Sequence, residues 1–141
     1  MSKKIREGIS LKIIGDTGPF SLVGKSICYQ LEVGEELYLV DCGAPLFELI
    51  GAEKLMKVKG VFGTHSHDDH KRTFTDLALF YLYGGKGTKK LPLITTETIH
   101  EEYHKSSKAA LERTLSLDSK RVVDVPYDVF VEKILFHKQL Q

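Results

Sequence analysis

The chain has 141 residues, a length that fits one domain, and we expect residues 1–141 to form a single unit. Hydrophobic residues make up 42% of the sequence and charged residues 28%, which is typical of a folded globular protein. The formal net charge of +1 gives no strong basic field, which argues against a large nucleic-acid footprint. Cys28 and Cys42 are too few for a disulfide framework and are predicted to be small buried residues.

The amino-terminal sequence also bears on where the protein works. It carries basic residues, but no apolar run follows them, so it does not have the pattern of a secretory signal. No stretch approaches the ~18 consecutive apolar residues of a membrane span. We therefore expect a cytoplasmic protein without a membrane partner.

The first forty residues predict strands. Residues 11–14 form a short apolar run, and residues 26–33 alternate between apolar and polar side chains, as a half-buried strand does. Gly34-Glu35-Glu36 then predicts a turn, and residues 37–40 form a second apolar run. We therefore predict an antiparallel hairpin over residues 26–41.

The middle and the end of the chain alternate between helix and strand. Pro45 suits the first turn of a helix, which we predict over 45–57, and residues 58–64 read as a buried strand. Thr73 and Asp76 have the spacing of a capping box before a predicted helix over 74–83. A buried strand over 91–95, a helix over 98–115 and a tail over 121–141 without a clear period follow. This order predicts an α/β or α+β fold.

Residues 65 to 70, between the predicted strand and the capped helix, contain three histidines and two aspartates. They read His65-Ser66-His67-Asp68-Asp69-His70. Neutral imidazole nitrogens and carboxylate oxygens are the ligands that zinc and similar divalent ions prefer. His65 and His67, two residues apart, can point to the same side, while Asp69 and His70 can face a second ion nearby. Ligands in α/β proteins gather at the carboxyl ends of strands, which is where this loop lies.

These residues and their setting resemble the metallo-β-lactamase superfamily. The hairpin that ends in Asp41-Cys42-Gly43 is similar to the opening hairpin of that family, and Val61-Phe-Gly-Thr-His65 is similar to its strand entering the metal loop. The resemblance implies an αββα sandwich of the α+β class. It also implies that His65 and His67 serve one zinc ion and Asp69 and His70 a second, with Asp69 also helping to hold the reacting water. Asp41 would orient one of the ligands from behind.

The sequence departs from the family in its second half. The family adds a further histidine, a bridging aspartate and a last histidine, and no residue after the loop matches them. His137 lacks the expected glycine-rich turn and reads as a surface histidine. The chain is therefore expected to correspond to the first half of the sandwich, incomplete at its carboxyl end. Apolar side chains on one sheet face and in the tail would then need a second half or a partner chain to cover them.

A second motif, His100-Glu101-Glu102-Tyr103-His104, matches the zinc-peptidase pattern His-Glu-x-x-His on a predicted helix. No glycine-linked third histidine follows it, and Glu112 lies close along the same helix. We interpret this motif as a polar helix flank. We expect His100 and His104 to be partly exposed and to bind no metal.

Two functions follow from these observations. The first is a metal-dependent hydrolase with two zinc ions, or iron or manganese in their place, which uses a metal-bound hydroxide on an ester or phosphodiester substrate. The alternative is a non-catalytic half-domain that keeps the metal loop but lacks a complete site. A nucleic-acid-processing role is a weaker third hypothesis, because the sequence has no aromatic-basic patch.

Overall fold

A computed structural model of the chain describes residues 8–16, 27–85, 89–115 and 122–136. Its largest element is a six-stranded sheet in the order β1 (Ile9–Gly15), β2 (Cys28–Val33), β3 (Glu36–Val40), β4 (Val58–Phe62), β5 (Leu91–Thr95) and β8 (Val131–Leu135). Strands β6 (Arg113–Leu115) and β7 (Val122–Asp124) form a two-stranded sheet. The helices are α1 (Leu46–Leu49), α2 (Ala52–Leu55), α3 (Asp68–Lys71), α4 (Phe74–Gly84), α5 (Glu97–Glu112) and α6 (Tyr127–Phe130).

The predicted hairpin is confirmed. Strands β2 and β3 pair in antiparallel fashion, and Val33 faces Glu36 across a two-residue turn. Gly34 opens that turn with a φ of 60°, a conformation that glycine adopts without steric cost. The predicted strand over 11–14 is also confirmed as part of β1, which pairs in antiparallel fashion with β2.

The other half of the sheet is parallel. Strands β3, β4, β5 and β8 run in the same direction, with helices in the connections between them. Parallel neighbours place their carboxyl ends at one edge of the sheet. The residues that follow β3, β4 and β5 therefore meet along that edge, and the histidine loop is among them.

Two helix predictions need correction. The helix predicted over 45–57 is two short helices, α1 and α2, because Gly51 between them has a φ of 93° and cannot continue an α-helix. The helix predicted over 98–115 ends at Glu112, after which Arg113 begins strand β6. The helix predicted over 74–83 is confirmed as α4.

The predicted capping box is wrong. Thr73 precedes α4, but its side chain makes no capping hydrogen bond to the helix. Its hydroxyl donates instead to the carbonyl oxygen of Ala44, in the segment that follows β3. The hydroxyl thus ties the start of α4 to the edge of the sheet.

The tail is more ordered than its sequence predicts. Residues 131–135 form β8, which pairs in parallel with β5 and brings Ile134 beside Ile94. Phe130, one of the tail residues expected to need a partner surface, is buried in the core of this chain. Leu135 and Phe136 are exposed, as expected, by 38% and 58%.

The core lies on one face of the sheet. Strand residues on this face are buried against the helices, together with Tyr81 of α4, whose hydroxyl donates to the carbonyl oxygen of Leu55 at 2.8 Å. The buried strand residues are Leu37, Leu39, Val61, Leu91 and Leu93. In the described ranges, none of the helices combines the length and apolarity that crossing a membrane requires.

Candidate metal centre

The histidine loop lies at the carboxyl ends of β3 and β4. Asp41 directly follows β3, and its backbone N–H donates to the carbonyl oxygen of Phe62, the last residue of β4, at 2.8 Å. Thr64 and His65 follow β4 after Gly63, and α3 carries His70 back toward Asp41. The parallel pairing of the two strands therefore brings Asp41 beside the loop although 23 residues separate it from Thr64.

Asp41 holds this arrangement together. It is 1% exposed, and its carboxylate accepts hydrogen bonds from the backbone N–H of Thr64 at 2.9 Å and from the Thr64 hydroxyl. The same carboxylate contacts Nδ1 of His70 at 2.8 Å. A buried carboxylate is stable only where its oxygens accept hydrogen bonds. Here Thr64 and His70 are the partners of the Asp41 oxygens, so the carboxylate holds two parts of the loop in place.

Three imidazole rings gather in front of Asp41. The ring of His65 stacks on that of His70, with centroids 4.6 Å apart and an interplanar angle of 28°. The ring of His67 lies 5.9 Å from that of His65. His65 and His67 are exposed, whereas the His70 side chain is 17% exposed, so the group opens toward solvent from a buried base.

Backbone hydrogen bonds fix the end of the loop. The N–H of Cys42 donates to the carbonyl oxygen of His70 at 2.6 Å, and the N–H of Thr73 donates to that of Cys42 at 2.7 Å. The residues after β3 thus form a frame for α3 and for the start of α4. These backbone hydrogen bonds hold the main chain of His70 beside the end of β3, in addition to the contact between its ring and Asp41.

Helix α5 supports the loop from the other side, which the sequence did not predict. The hydroxyl of Ser66 donates to Oε2 of Glu102 at 2.7 Å. Gly63 also lies against α5, since a Cβ atom built there would approach the Tyr103 hydroxyl oxygen at 3.4 Å. These contacts join residues 36 or more positions apart in the sequence, so no local sequence pattern predicts them.

The donor chemistry of the loop fits a divalent metal ion. Imidazole is a common ligand of zinc, iron and manganese, and ligating histidines usually have a carboxylate on their other ring nitrogen. His70 has this arrangement, because Asp41 occupies Nδ1 and coordination would be through Nε2. The side chain of Asp69, the fourth predicted ligand, lies outside the described part of the chain, as does His137. Among the side chains that are described, no three His, Cys, Asp or Glu groups are arranged to hold an ion.

Comparison with solved structures identifies the fold. Over 92% of its length this chain superposes on the metallo-β-lactamase fold protein YhfI from Bacillus subtilis, with a TM-score of 0.62 and 23% sequence identity. The chain has the metallo-β-lactamase fold. The chain also superposes on a new diphosphatase from the PhnP family, with a TM-score of 0.60 and 17% identity over 92% of this chain. On the long form of RNase Z from yeast, the TM-score is 0.64 and the identity 11% over 96% of this chain.

This chain spans 46% of YhfI, 51% of the diphosphatase and 19% of the yeast RNase Z. It therefore corresponds to about half the length of the first two. The predicted fold class, an α+β sandwich represented by one of its halves, agrees with this coverage. No protein-family model matches the sequence, and no curated protein matches it.

In this metallo-β-lactamase fold both histidines of the second motif, His100 and His104, make contacts within the chain. His100 is 4% exposed, so the prediction that it is partly exposed is wrong. Its Nε2 donates to the carbonyl oxygen of Ile134 at 2.8 Å and links α5 to β8. His104 is partly exposed, as predicted. It contacts Glu112 at 2.9 Å and stacks on the ring of Tyr127, with centroids 4.4 Å apart.

The two cysteines are buried behind the metal loop, as predicted. Burial, reinforced by the nearby charge of Asp41, raises the pKa of the Cys28 thiol to about 12. Burial also raises the pKa of Cys42 well above its ordinary value, and Cys28 and Asp41 add to that effect. Both groups are therefore neutral thiols at physiological pH, without the lowered pKa that activates a cysteine nucleophile.

Proposed function

We propose that this chain carries the metal-binding half of a metal-dependent hydrolase site. Its ligands would be His65, His67, Asp69 and His70, with Asp41 orienting His70. The observation that supports this most directly is the proximity of three imidazole rings at the carboxyl edge of the sheet, with a buried carboxylate on the Nδ1 atom of one of them. Zinc is the metal we favour, in two ions per complete site, with iron and manganese as alternatives.

A divalent ion at this site would supply Lewis-acid chemistry, activating water at neutral pH and stabilising charge on an oxygen of the substrate. The residues of the chain would do the rest. Asp41 fixes the tautomer and orientation of His70, and a carboxylate partner also makes the imidazole a more basic ligand. We assign Asp69 a double role, as a ligand and as the group that accepts a proton from the reacting water.

The substrate class we favour is a phosphodiester or another ester. Two of the solved structures with this fold are named for a diphosphatase and a ribonuclease, so phosphate-containing substrates are compatible with the scaffold. The open, solvent-facing position of His65 and His67 suits a substrate that approaches from outside the sheet edge. The net charge of +1 provides little general attraction for a long nucleic acid, so a small substrate is preferred.

The alternative is a half-domain that binds metal without turnover. It is favoured by the coverage of about half of two matched structures. A catalytic zinc commonly takes three protein ligands and keeps one position open. Four ligands shared between two ions would give each ion only two, so a complete dinuclear site needs groups from elsewhere.

One experiment separates these readings. Zinc affinity would be measured by competition with a chelating dye. Hydrolysis of para-nitrophenyl acetate and bis(para-nitrophenyl) phosphate would be followed with added zinc, iron or manganese. A His65→Ala, His67→Ala double variant is compared with wild type, and His104→Ala serves as a control that removes a histidine outside the loop.

We expect wild type and His104→Ala to bind zinc equally and the double variant to lose most of its affinity. Turnover that depends on metal and disappears with the double variant would establish the hydrolase. Zinc binding without turnover of either ester would favour the half-domain. Equal zinc affinity in all three proteins would refute the metal site itself.

A further inference from the structure

The part of the metal loop that carries His65 and His67 has few attachments to the rest of the described chain. Before it, Thr64 is tied to Asp41 by its backbone N–H and its hydroxyl. After it, the N–H of His70 donates to the carbonyl oxygen of His67 at 2.9 Å, which is a local bond. Within the described residues, neither His65 nor His67 has a hydrogen bond to another helix or strand. The carboxylate that orients His70 has no counterpart at these two rings among those residues.

Ser66 attaches this segment to a separate element of the fold. It lies between the two histidines, and its hydroxyl donates to Oε2 of Glu102 on α5 at 2.7 Å. Neighbouring side chains of an extended segment point to opposite sides, and His67 has extended backbone angles, with a φ of −72° and a ψ of 153°. The rings of His65 and His67 lie 5.9 Å apart. The contact with α5 therefore holds the segment by the side chain that lies between the two proposed ligands.

Helix α5 is firmly anchored on both sides of this contact. Tyr103, the neighbour of Glu102, is fully buried, and its ring packs edge-on against that of Phe74 at the start of α4, with centroids 4.9 Å apart. Earlier along the helix, Nε2 of His100 donates to the carbonyl oxygen of Ile134 at 2.8 Å and fixes the helix to β8. A side chain on such an anchored helix holds a neighbouring segment more precisely than a side chain on a loop does.

We propose that Glu102 is a positioning residue of the metal centre, and that it fixes residues 65–67 through the hydroxyl of Ser66. The inference rests on the proposed function, in which two of these three residues bind a metal ion. Asp41 orients His70 from behind the centre, and Glu102 holds the other two imidazole groups from the side of α5. Ligands that are already in place lose less conformational freedom when an ion binds, so the contact strengthens zinc binding.

The negative charge of Glu102 is a separate effect that the test has to exclude. The side chain is exposed, so solvent and salt screen its attraction for a metal ion. A hydrogen bond, in contrast, depends on the reach of the acceptor. Glu102→Gln keeps an oxygen within reach of Ser66 and removes the charge, whereas Glu102→Asp keeps the charge and shortens the side chain by one methylene group. These two variants therefore separate positioning from charge.

Zinc affinity, measured by competition with a chelating dye, tests the proposal. We expect the zinc dissociation constant to rise about 3- to 10-fold in Ser66→Ala, Glu102→Ala and Glu102→Asp, and less than about twofold in Glu102→Gln. Glu101→Ala removes the same charge from the exposed neighbouring position on α5 and is the matched control, with a change of less than about twofold. The double variant Ser66→Ala, Glu102→Ala should bind zinc no more weakly than either single variant, because each removes the same hydrogen bond.

Three results would overturn the proposal while the metal site stands. Equal zinc affinities in Glu102→Ala and Glu101→Ala would show that the contact with the loop has no effect. An equal loss in Glu102→Gln and Glu102→Ala would assign the effect to charge. Additive losses in the double variant would mean that Ser66 and Glu102 act independently.

A measurement on zinc-free protein separates this proposal from the metal site. The backbone order parameter of Ser66, from NMR relaxation, should be about 0.8 in wild type and in Glu101→Ala and should fall to about 0.6 in Glu102→Ala. A wild type that binds no zinc would refute the proposed function, and the order parameter would still decide whether Glu102 fixes the loop. An unchanged order parameter in Glu102→Ala would overturn the positioning role at any zinc affinity.

Discussion

Two histidine motifs occur in this chain, and their side chains have different partners. In the loop after β4, three rings lie close together at the edge of the sheet, and a buried carboxylate orients one of them. On α5, His100 donates to a backbone carbonyl oxygen and His104 pairs with Glu112, so each ring serves a separate structural contact. The difference teaches that similar histidine spacing can lead to different surroundings: a cluster of rings at the end of a strand in one motif, and separate hydrogen bonds along a helix in the other.

The largest expected effect distinguishes the motifs by their affinity for zinc. His70→Ala removes a proposed donor and should weaken zinc binding by more than about 100-fold. The double variant His100→Ala, His104→Ala should leave zinc binding unchanged. Competition with a chelating dye measures both. Loss of one zinc equivalent in the α5 variant would show that the second motif is a metal site after all.

The next prediction concerns Asp41, the buried carboxylate that contacts a histidine of the loop and has no buried counterpart beside His104. In Asp41→Asn the amide would present an N–H to Nδ1 of His70 and favour the tautomer that carries its proton on Nε2. Zinc affinity should fall by about 10- to 100-fold. Glu112→Gln makes the same chemical change beside His104 and is the matched control. Equal affinities in the two variants would remove Asp41 from the proposed site.

The third prediction concerns the free energy of unfolding, for which we expect the α5 motif to matter more than the loop. His100 is buried, and its alanine variant loses packing and the hydrogen bond to Ile134, which should lower the free energy of unfolding by about 1 to 2 kcal/mol. His67→Ala, at an exposed position, should change it by less than about 0.5 kcal/mol. Urea unfolding of zinc-free protein measures both. A larger loss in His67→Ala would mean that the loop, and not α5, supports the fold.

The smallest predicted effect is on the titration of Glu112. The hydrogen bond from His104 lowers the pKa of this carboxyl below its ordinary value of 4.5. A lowered pKa means a stabilising contribution that is present above pH 4.5 and is lost as the pH falls through the folded-state value. In His104→Ala the pKa should return toward 4.5, as carbon-detected NMR would show. An unchanged pKa would assign the shift to other groups, such as Lys108.

The sequence predicts those parts of this molecule that depend on local pattern. Alternation and a glycine turn predict β2 and β3, and the density of imidazole and carboxylate groups predicts the metal loop. The contact between Asp41 and a loop histidine was also predicted, from the family resemblance and the usual partner of a ligating histidine. The structure places that pair at 2.8 Å, while the ligand role of the loop stays a prediction.

Long-range pairing explains what the sequence did not predict. Strand β8 pairs with β5, and the paired residues Val131 and Leu91 are 40 positions apart in the sequence. A pairing over that distance produces no local sequence pattern from which it could be predicted. The break at Gly51 was missed because a single glycine costs a helix only about 1 kcal/mol and does not by itself end one. The burial of His100 could have been predicted from the sequence, because His100, Tyr103, Ser107 and Leu111 have the spacing of one helix face. The structure shows that all four are buried.

Asp41 has a backbone φ of 63°, and this limits which amino acids can replace it. Glycine, asparagine and aspartate are the residues that adopt this left-handed region readily, and of these aspartate alone carries a carboxylate. Glutamate would keep the charge but strain the backbone, whereas glycine would relax the backbone and remove the charge. A saturation library at this position, sorted for zinc retention, should therefore return aspartate almost exclusively.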